Sequence, residues 1–233
     1  MKELKNLPAW ERLFKRIVWE QLGDLSDKKI LDFGSGEGIT ADHFAEKNDV
    51  IAVEPWDEML KDAWRNHEYK QIVGDVTALK EFPEGEFDVI ICHNVLEYID
   101  DKAAVLAELQ RVLKPGGFIS IVKHNRAGRV MQMAVLLDDF DKALGLLDGE
   151  NSSASKFGAI RYYEDCQVEE WCDELIVENT LGIRAFWDLQ QNQEKHTDEE
   201  WQTKMAELEM RVSDLEPYKS IAFFHHLILR KRV

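Results

Sequence analysis

The 233-residue sequence has little that would tie it to a disulfide framework, a zinc cluster or a membrane. Its three cysteines, Cys92, Cys166 and Cys172, are odd in number and show no paired C-x-x-C spacing, so neither a disulfide scaffold nor a thiolate metal site is expected. Reduced, structural thiols and a cytoplasmic location are the corresponding expectations. No apolar run approaches the roughly 20 residues that a membrane helix needs, and the opening MKELKNLPAWERLFKRIVWEQL has no continuous apolar stretch or small-residue cleavage site of a secretory leader. Basic charge is scarce: 29 Lys and Arg stand against 45 Asp and Glu, a formal net charge of −16. A phosphate-rich polymer would therefore have to be met by a local concentration of basic groups. Acidity of this size is also a common device for solubility.

What is present suffices for one substantial core. With 45% hydrophobic and 32% charged residues, residues 1–233 are expected to form a single domain with an appended or inserted cap. Trp10, Leu13, Phe14, Ile17, Val18 and Leu22 recur at helical spacing before Gly23, which predicts an N-terminal helix over residues 4–23. From residue 29, the short apolar runs KILDF, DVIAVE, QIVGD, FDVIICHN and GFISIVKHN alternate with helical patterns. Parallel strands need long, usually helical, connections, so this alternation predicts an α/β fold with a mostly parallel sheet. Pro115-Gly116-Gly117 is expected to separate a helix at 101–112 from the fifth strand.

After Asn125 the alternation stops. Residues 127–147 predict one amphipathic helix, followed by a polar loop at 149–155, within a helical cap over about 126–162. The remainder predicts a helix at 164–175, a strand at 174–188, an acidic helix at 198–215 and a last strand at 220–232. The two late strands would complete a seven-stranded sheet whose last strand is antiparallel.

The chemistry concentrates at strand ends. Asp32-Phe33-Gly34-Ser35-Gly36-Glu37-Gly38 closes the first strand and opens a helix, where glycines allow a sharp turn and close approach of a ligand to backbone. The pattern is D-x-G-x-G-x-G and not the G-x-G-x-x-G of dinucleotide binding. Glu54 ends the second strand, where a carboxylate can accept both hydroxyls of a ribose. Gly74-Asp75-Val76 ends the third strand, His93-Asn94-Val95-Leu96-Glu97 closes the fourth, and Leu113-Lys114-Pro115-Gly116-Gly117 opens the fifth.

In order and spacing, residues 29–123 resemble the class I S-adenosylmethionine-dependent methyltransferases. The resemblance implies a Rossmann-like fold, with S-adenosyl-L-methionine as methyl donor and S-adenosyl-L-homocysteine as product. It implies cofactor binding by Asp32, Gly34, Ser35, Gly36, Glu54, Asp75, Val76 and His93, with Asp75 toward the adenine amino group. It implies no metal. Plainer readings stand beside these: helix packing for Gly38, a turn for Gly116-Gly117, and a core histidine for His93.

A narrower resemblance follows from Asn125, Gly128 and Met131, from Gly182 to Asp188, from Leu208-Glu209 and from Glu216-Pro217-Tyr218. These look like the bacterial tRNA 5-carboxymethoxyuridine methyltransferases, which esterify a carboxylate. That implies tRNA as partner, with Arg184 and Tyr218 positioning the substrate, and a basic residue near the N-terminus reaching the cofactor, for which Arg12 and Arg16 are candidates. Lys123, His124, Arg126 and Arg129 form one local basic cluster at the cap entrance. The alternatives are a salt bridge for Arg184, core packing for Tyr218 and Trp187, a small-molecule acceptor, a non-catalytic S-adenosylmethionine-binding protein, and a nicotinamide dehydrogenase.

Overall fold

The computed structural model describes residues 2–154 and 158–232. The five early apolar runs form β1 (Lys29–Phe33), β2 (Asp49–Glu54), β3 (Lys70–Val73), β4 (Phe87–His93) and β5 (Leu113–His124). A separate antiparallel pair, β6 (Ser152–Ala154) and β7 (Gly158–Ile160), lies after them, and β8 (Leu175–Ile183) and β9 (Phe224–Lys231) close the main sheet. That sheet has seven strands in the order β3-β2-β1-β4-β5-β9-β8. β1 to β5 pair in parallel, whereas β9 runs antiparallel to both β5 and β8. The Rossmann-like fold with an antiparallel last strand is therefore the one the strand pattern predicts.

The crossovers and flanking elements are α1 (Ala9–Leu22), α2 (Ile39–Ala45), α3 (Asp57–Leu60), α4 (Lys102–Val112), α5 (Arg126–Met131), α6 (Phe140–Leu147), α7 (Gln167–Trp171) and α8 (Glu199–Val212). One face of the sheet packs Ile90, Ile119 and Leu229 against Leu106, Leu109 and Val168; the other packs Ile30, Val50 and Val122 against Phe14, Ile17, Phe44 and Ala206. Fully burying an aliphatic side chain such as Ile17 stabilises by about 1.5–3 kcal/mol. These two layers fix where the strand ends lie. Strand order reverses between β1 and β4, and ligands of open α/β sheets bind outside the carboxyl ends at such a point.

Several elements depart from the periodicity. The helix expected over 4–23 starts at Ala9, because Pro8 has no N–H to carry a helical ladder and the chain enters it extended; Leu4–Asn6 is a separate 3-10 turn. The single helix expected over 127–147 is broken. α5 runs into a π turn at Gln132–Leu136, Asp138 turns the chain with φ 52°, and the Asp139 side chain accepts from Lys142 N at 3.0 Å to start α6. β6 falls inside the polar loop expected at 149–155, of which residue 155 lies outside the described residues. Pro115-Gly116-Gly117 does not precede β5 but bulges within it; a Cβ on Gly117 would stand 2.6 Å from Asp88 O. The helix at 164–175 shortens to α7, and the strand at 174–188 ends at Ile183. Among the described residues, no helix is long and apolar enough to cross a membrane.

The junction after β5 is tightly packed. Asn125 Nδ2 donates to Ser220 O at 2.9 Å and Ala222 O at 2.8 Å, and a Cβ on Gly128 would meet Ala222 O at 2.2 Å. Gly128→Ala must displace backbone, at about 1–3 kcal/mol. We expect a lower urea midpoint for that variant with an unchanged m-value; an unaltered midpoint would contradict the packing described.

Candidate active site

The loop after β1 turns on three glycines at positive φ: Gly34 at 76°, Gly36 at 56° and Gly38 at 73°. Two of them are also hemmed in. A Cβ on Gly34 would sit 2.3 Å from Val95 Cγ2, and one on Gly38 would sit 2.0 Å from the Tyr69 hydroxyl, which itself donates to Trp64 O at 2.8 Å. Above Gly36 the nearest atom is Met59 Cε at 3.5 Å, so backbone there is open to a ligand. Gly34 N–H and Ser35 N–H donate to Val53 O at 2.8 and 3.1 Å, which ties the loop to β2.

Glu54, at the end of β2 and 7% exposed, holds the same loop from the side. One carboxylate oxygen accepts from Gly36 N at 2.8 Å and the other from Trp56 N at 3.0 Å. A carboxylate has about four acceptor positions, so lone pairs remain for hydroxyl donors. Asp75 follows β3 and is exposed; it accepts from Thr77 N at 2.9 Å and Thr77 Oγ1 at 2.7 Å, which hold its pKa below the usual carboxylate range. Val76 is half-buried at the start of the following 3-10 turn. His93, at the end of β4, meets Ser120 Oγ through Nε2 at 2.7 Å, while its buried Nδ1 has no partner among the described residues.

Asp32 is buried beside the loop, and its Oδ2 makes no hydrogen bond among the described residues. Burial pushes its carboxyl up to about 7, against the pull of the Lys15 ammonium and the Ala41 N–H, with Glu54 adding repulsion. Lys15 reaches in from α1 and donates to Thr40 Oγ1 at 2.9 Å; burial lowers its own pKa. Neither N-terminal arginine takes this place. Arg12 donates to Lys5 O at 2.8 Å and Gln202 Oε1 at 3.1 Å, and Arg16 pairs with Glu20 on the surface at 2.7 Å. Arg12 and Arg16 line a different groove of about 760 Å³ between α1 and α8, together with Trp19 and His43. Lys15 was not legible in the sequence, where it reads as one more charge among the surface positions of α1.

At the far end of the same sheet edge, Arg184 follows β8 with φ 63° and is buried. A left-handed non-glycine backbone costs about 1–3 kcal/mol. Glu209 from α8 offsets it by accepting from Ala185 N at 2.6 Å, Phe186 N at 2.9 Å and Trp187 N at 3.0 Å. Even with those donors, burial raises the Glu209 pKa. The Arg184 fork is bidentate on Asp188, with Nε to Oδ2 at 2.8 Å and Nη2 to Oδ1. Its salt bridge is thus internal, and the signal for it was the Arg-x-x-x-Asp spacing.

A cavity of about 340 Å³ lies beside this pair, lined among others by Trp10, Gln132, Arg184, Trp187 and Asp188. Trp187 is buried and stacks on His196, with ring centroids 4.1 Å apart. Tyr218 is not among the lining residues; it is 38% exposed and lies 5.7 Å from the Phe186 ring.

The basic cluster at the cap entrance does not form an open cationic face. Lys123 is 3% exposed and donates to Asp165 at 2.6 Å, and His124 meets Glu97 at 2.7 Å. Arg126 bonds Leu146 O and Glu150 O, and Arg129 bonds Gln132. Lys123 and His124 thus meet carboxylates from neighbouring segments, and Arg126 and Arg129 bond within residues 126–150.

Asp32 also yields a stability prediction. Below the unfolded value of 3.8 the carboxyl is protonated in both states, and its stabilising effect is complete. As pH rises toward about 7, the unfolded chain releases the proton first, so stability falls by up to about 1.4 kcal/mol per pH unit. We expect Asp32→Asn to flatten urea unfolding free energies across this window. An equal slope in wild type and variant would contradict the burial of an uncompensated carboxyl.

The residues present fit S-adenosylmethionine on chemical grounds: an unpartnered buried carboxylate oxygen for an ammonium, a second carboxylate with spare lone pairs for a diol, and open backbone at Gly36. The comparisons agree. Residues 31–121 match the family described as methyltransferase domain. The chain is 30% identical over 240 residues to tRNA 5-carboxymethoxyuridine methyltransferase of Escherichia coli strain K12, covering 94% of this chain and 88% of that protein. It is 30% identical over 132 residues to ubiquinone biosynthesis O-methyltransferase of Acinetobacter baumannii strain AYE, covering 52% and 55%. The fold is shared, at TM-score 0.56, 14% identity and coverage of 98% and 80%, with Burkholderia thailandensis 1,6-didemethyltoxoflavin-N1-methyltransferase, solved with 1,6-didemethyltoxoflavin and S-adenosylhomocysteine. This chain therefore belongs to the class I S-adenosylmethionine-dependent methyltransferases and, within them, to the family that includes tRNA 5-carboxymethoxyuridine methyltransferase.

Proposed function

We propose that this methyltransferase esterifies the carboxylate of 5-carboxymethoxyuridine in tRNA, a reaction that places it in the cytoplasm. The observation that carries the reading is coverage. The likeness to the tRNA enzyme spans 94% of this chain and so includes the cap and the Arg184 and Tyr218 segments, whereas the likeness to the ubiquinone enzyme stops at 52%.

Bound S-adenosylmethionine supplies an electrophilic methyl group. An acceptor carboxylate is already ionised at neutral pH, so the chain needs no general base and its work is alignment and exclusion of water. Asp32, Gly34, Ser35, Gly36, Glu54, Asp75, Val76 and His93 hold the donor, with Lys15 setting the charge beneath it. Arg184 Nη1, which has no hydrogen bond among the described residues, meets the acceptor carboxylate while Asp188 fixes the guanidinium plane. Tyr218, exposed beside the Phe186 ring and outside the cavity lining, offers a stacking face for a base turned out of the anticodon loop. The cavity beside Arg184, about 340 Å³, is at the small end of ligand sites and suits one nucleoside rather than a helix. The net charge of −16 and the internal use of the basic cluster favour contact limited to that loop.

Purified enzyme with methyl-labelled S-adenosylmethionine, given separate tRNA and metabolite pools, should label only tRNA, in a base-labile ester of the wobble nucleoside. Arg184→Lys should lower kcat/KM for tRNA roughly tenfold or more, leaving KM for S-adenosylmethionine unchanged. Label confined to the metabolite pool would overturn the acceptor and support a small-molecule methyltransferase instead.

A further inference from the structure

Behind His93 runs a chain of polar groups that crosses neighbouring strands of the sheet and reaches α1. His93 Nε2 lies 2.7 Å from Ser120 Oγ on β5, Ser120 Oγ lies 2.7 Å from His226 Nε2 on β9, and His226 Nδ1 lies 2.8 Å from Gln21 Oε1 on α1. Gln21 Nε2 then donates to Gly182 O on β8 at 3.0 Å. Ser120 and His226 are both 0% exposed. No other contact is needed to explain how the two imidazole rings sit, 5.8 Å apart and nearly perpendicular.

The proton positions along this chain follow from its far end. A backbone carbonyl only accepts, so the Gly182 oxygen fixes which end of the Gln21 amide faces it, and the Gln21 oxygen is left to accept from His226 Nδ1–H. Burial lowers the His226 pKa to about 3, so its ring is neutral and its Nε2 is bare. The Ser120 hydroxyl must then donate to His226 and accept from His93 Nε2–H. Burial also holds His93 neutral, helped by His226 and Lys15, so its other nitrogen carries no proton. That nitrogen is buried and has no partner among the described residues.

We propose that Gln21, His226 and Ser120 are positioning residues that lock His93 as its Nε2–H tautomer, leaving Nδ1 as a committed hydrogen-bond acceptor for a donor group of bound S-adenosylmethionine. The inference rests on methyl-donor binding and not on the identity of the acceptor. It also gives a physical role to Gln21 on the N-terminal helix, which is bonded to His226 and to Gly182 O. An unsatisfied buried acceptor is unfavourable until a ligand donor reaches it, so part of the free energy of cofactor binding is stored in this bare nitrogen.

The test is long-range 1H–15N correlation spectroscopy of the full chain labelled at histidine, with and without S-adenosylhomocysteine at neutral pH. We expect His93 as a single Nε2–H tautomer and His226 as Nδ1–H, with the bare His93 Nδ1 resonance moving toward the hydrogen-bonded range on ligand addition. In Ser120→Ala and in Gln21→Met, His93 should populate both tautomers, and the Kd for S-adenosylhomocysteine should rise about 2–10-fold. Observation of His93 as Nδ1–H in the wild type, or a Nδ1 resonance that ignores the ligand, would overturn the proposal without any variant being folded. Retention of the single Nε2–H tautomer in both folded variants would overturn the positioning roles. Failure to methylate tRNA would leave all of these readouts unaffected.

Discussion

The Glu54 carboxylate accepts from Gly36 N at 2.8 Å and from Trp56 N at 3.0 Å, and thereby fastens the turn after β1 to the turn after β2. Backbone donors at such turns have no partner in the sheet ladder, and one buried anion satisfies a donor from each. The consequence reaches further than two bonds. With Gly36 held in this way, Gly34 passes under Val95 and Gly38 under Tyr69 without room for a side chain, and the loop becomes a fixed floor. Asp32 lies buried beside that loop, and Lys15 is brought near it by α1. The proposed donor site is thus an electrostatic assembly held by packing: two buried carboxylates and the partly buried Lys15 side chain at the point where strand order reverses.

The proposed acceptor end, around Arg184, is built differently. A left-handed Arg184 is maintained by Glu209 on three consecutive N–H groups, and its guanidinium is aimed by Asp188. Phe223, Phe224 and Trp10 lie within 5.6 Å of its carbon, so the cation is framed by aromatic rings as well as by a carboxylate. This end draws on α1, the segment after β8, α8 and the start of β9. The proposed donor and acceptor sites therefore share α1, through Lys15 and Gln21 on one side and Trp10 on the other.

The turn after β1 and the strand ends around it were legible in the sequence because their requirements are local. Alternate glycines after an acid announce a left-handed turn, and the acids at the ends of short apolar runs fall at one sheet edge as soon as the runs are read as parallel strands. Lys15, Ser120, His226 and Gln21 were not legible, since each acts through partners 25 to 205 positions away and sits in a stretch whose local pattern says only helix or strand. The cap was misread as one helix because hydrophobic period ignores what Asp138 and Asp139 do to backbone. Lys123 to Arg129 read as a basic patch because charge in sequence does not show that Asp165, Glu97 and two carbonyls consume it.

A structure of the chain with S-adenosylhomocysteine tests the account most directly. The result it predicts has the ribose hydroxyls on Glu54, the amino group beside Asp32 and the ligand backbone crossing Gly36. A ligand seated instead in the groove lined by Arg12, Arg16 and Trp19 would contradict it.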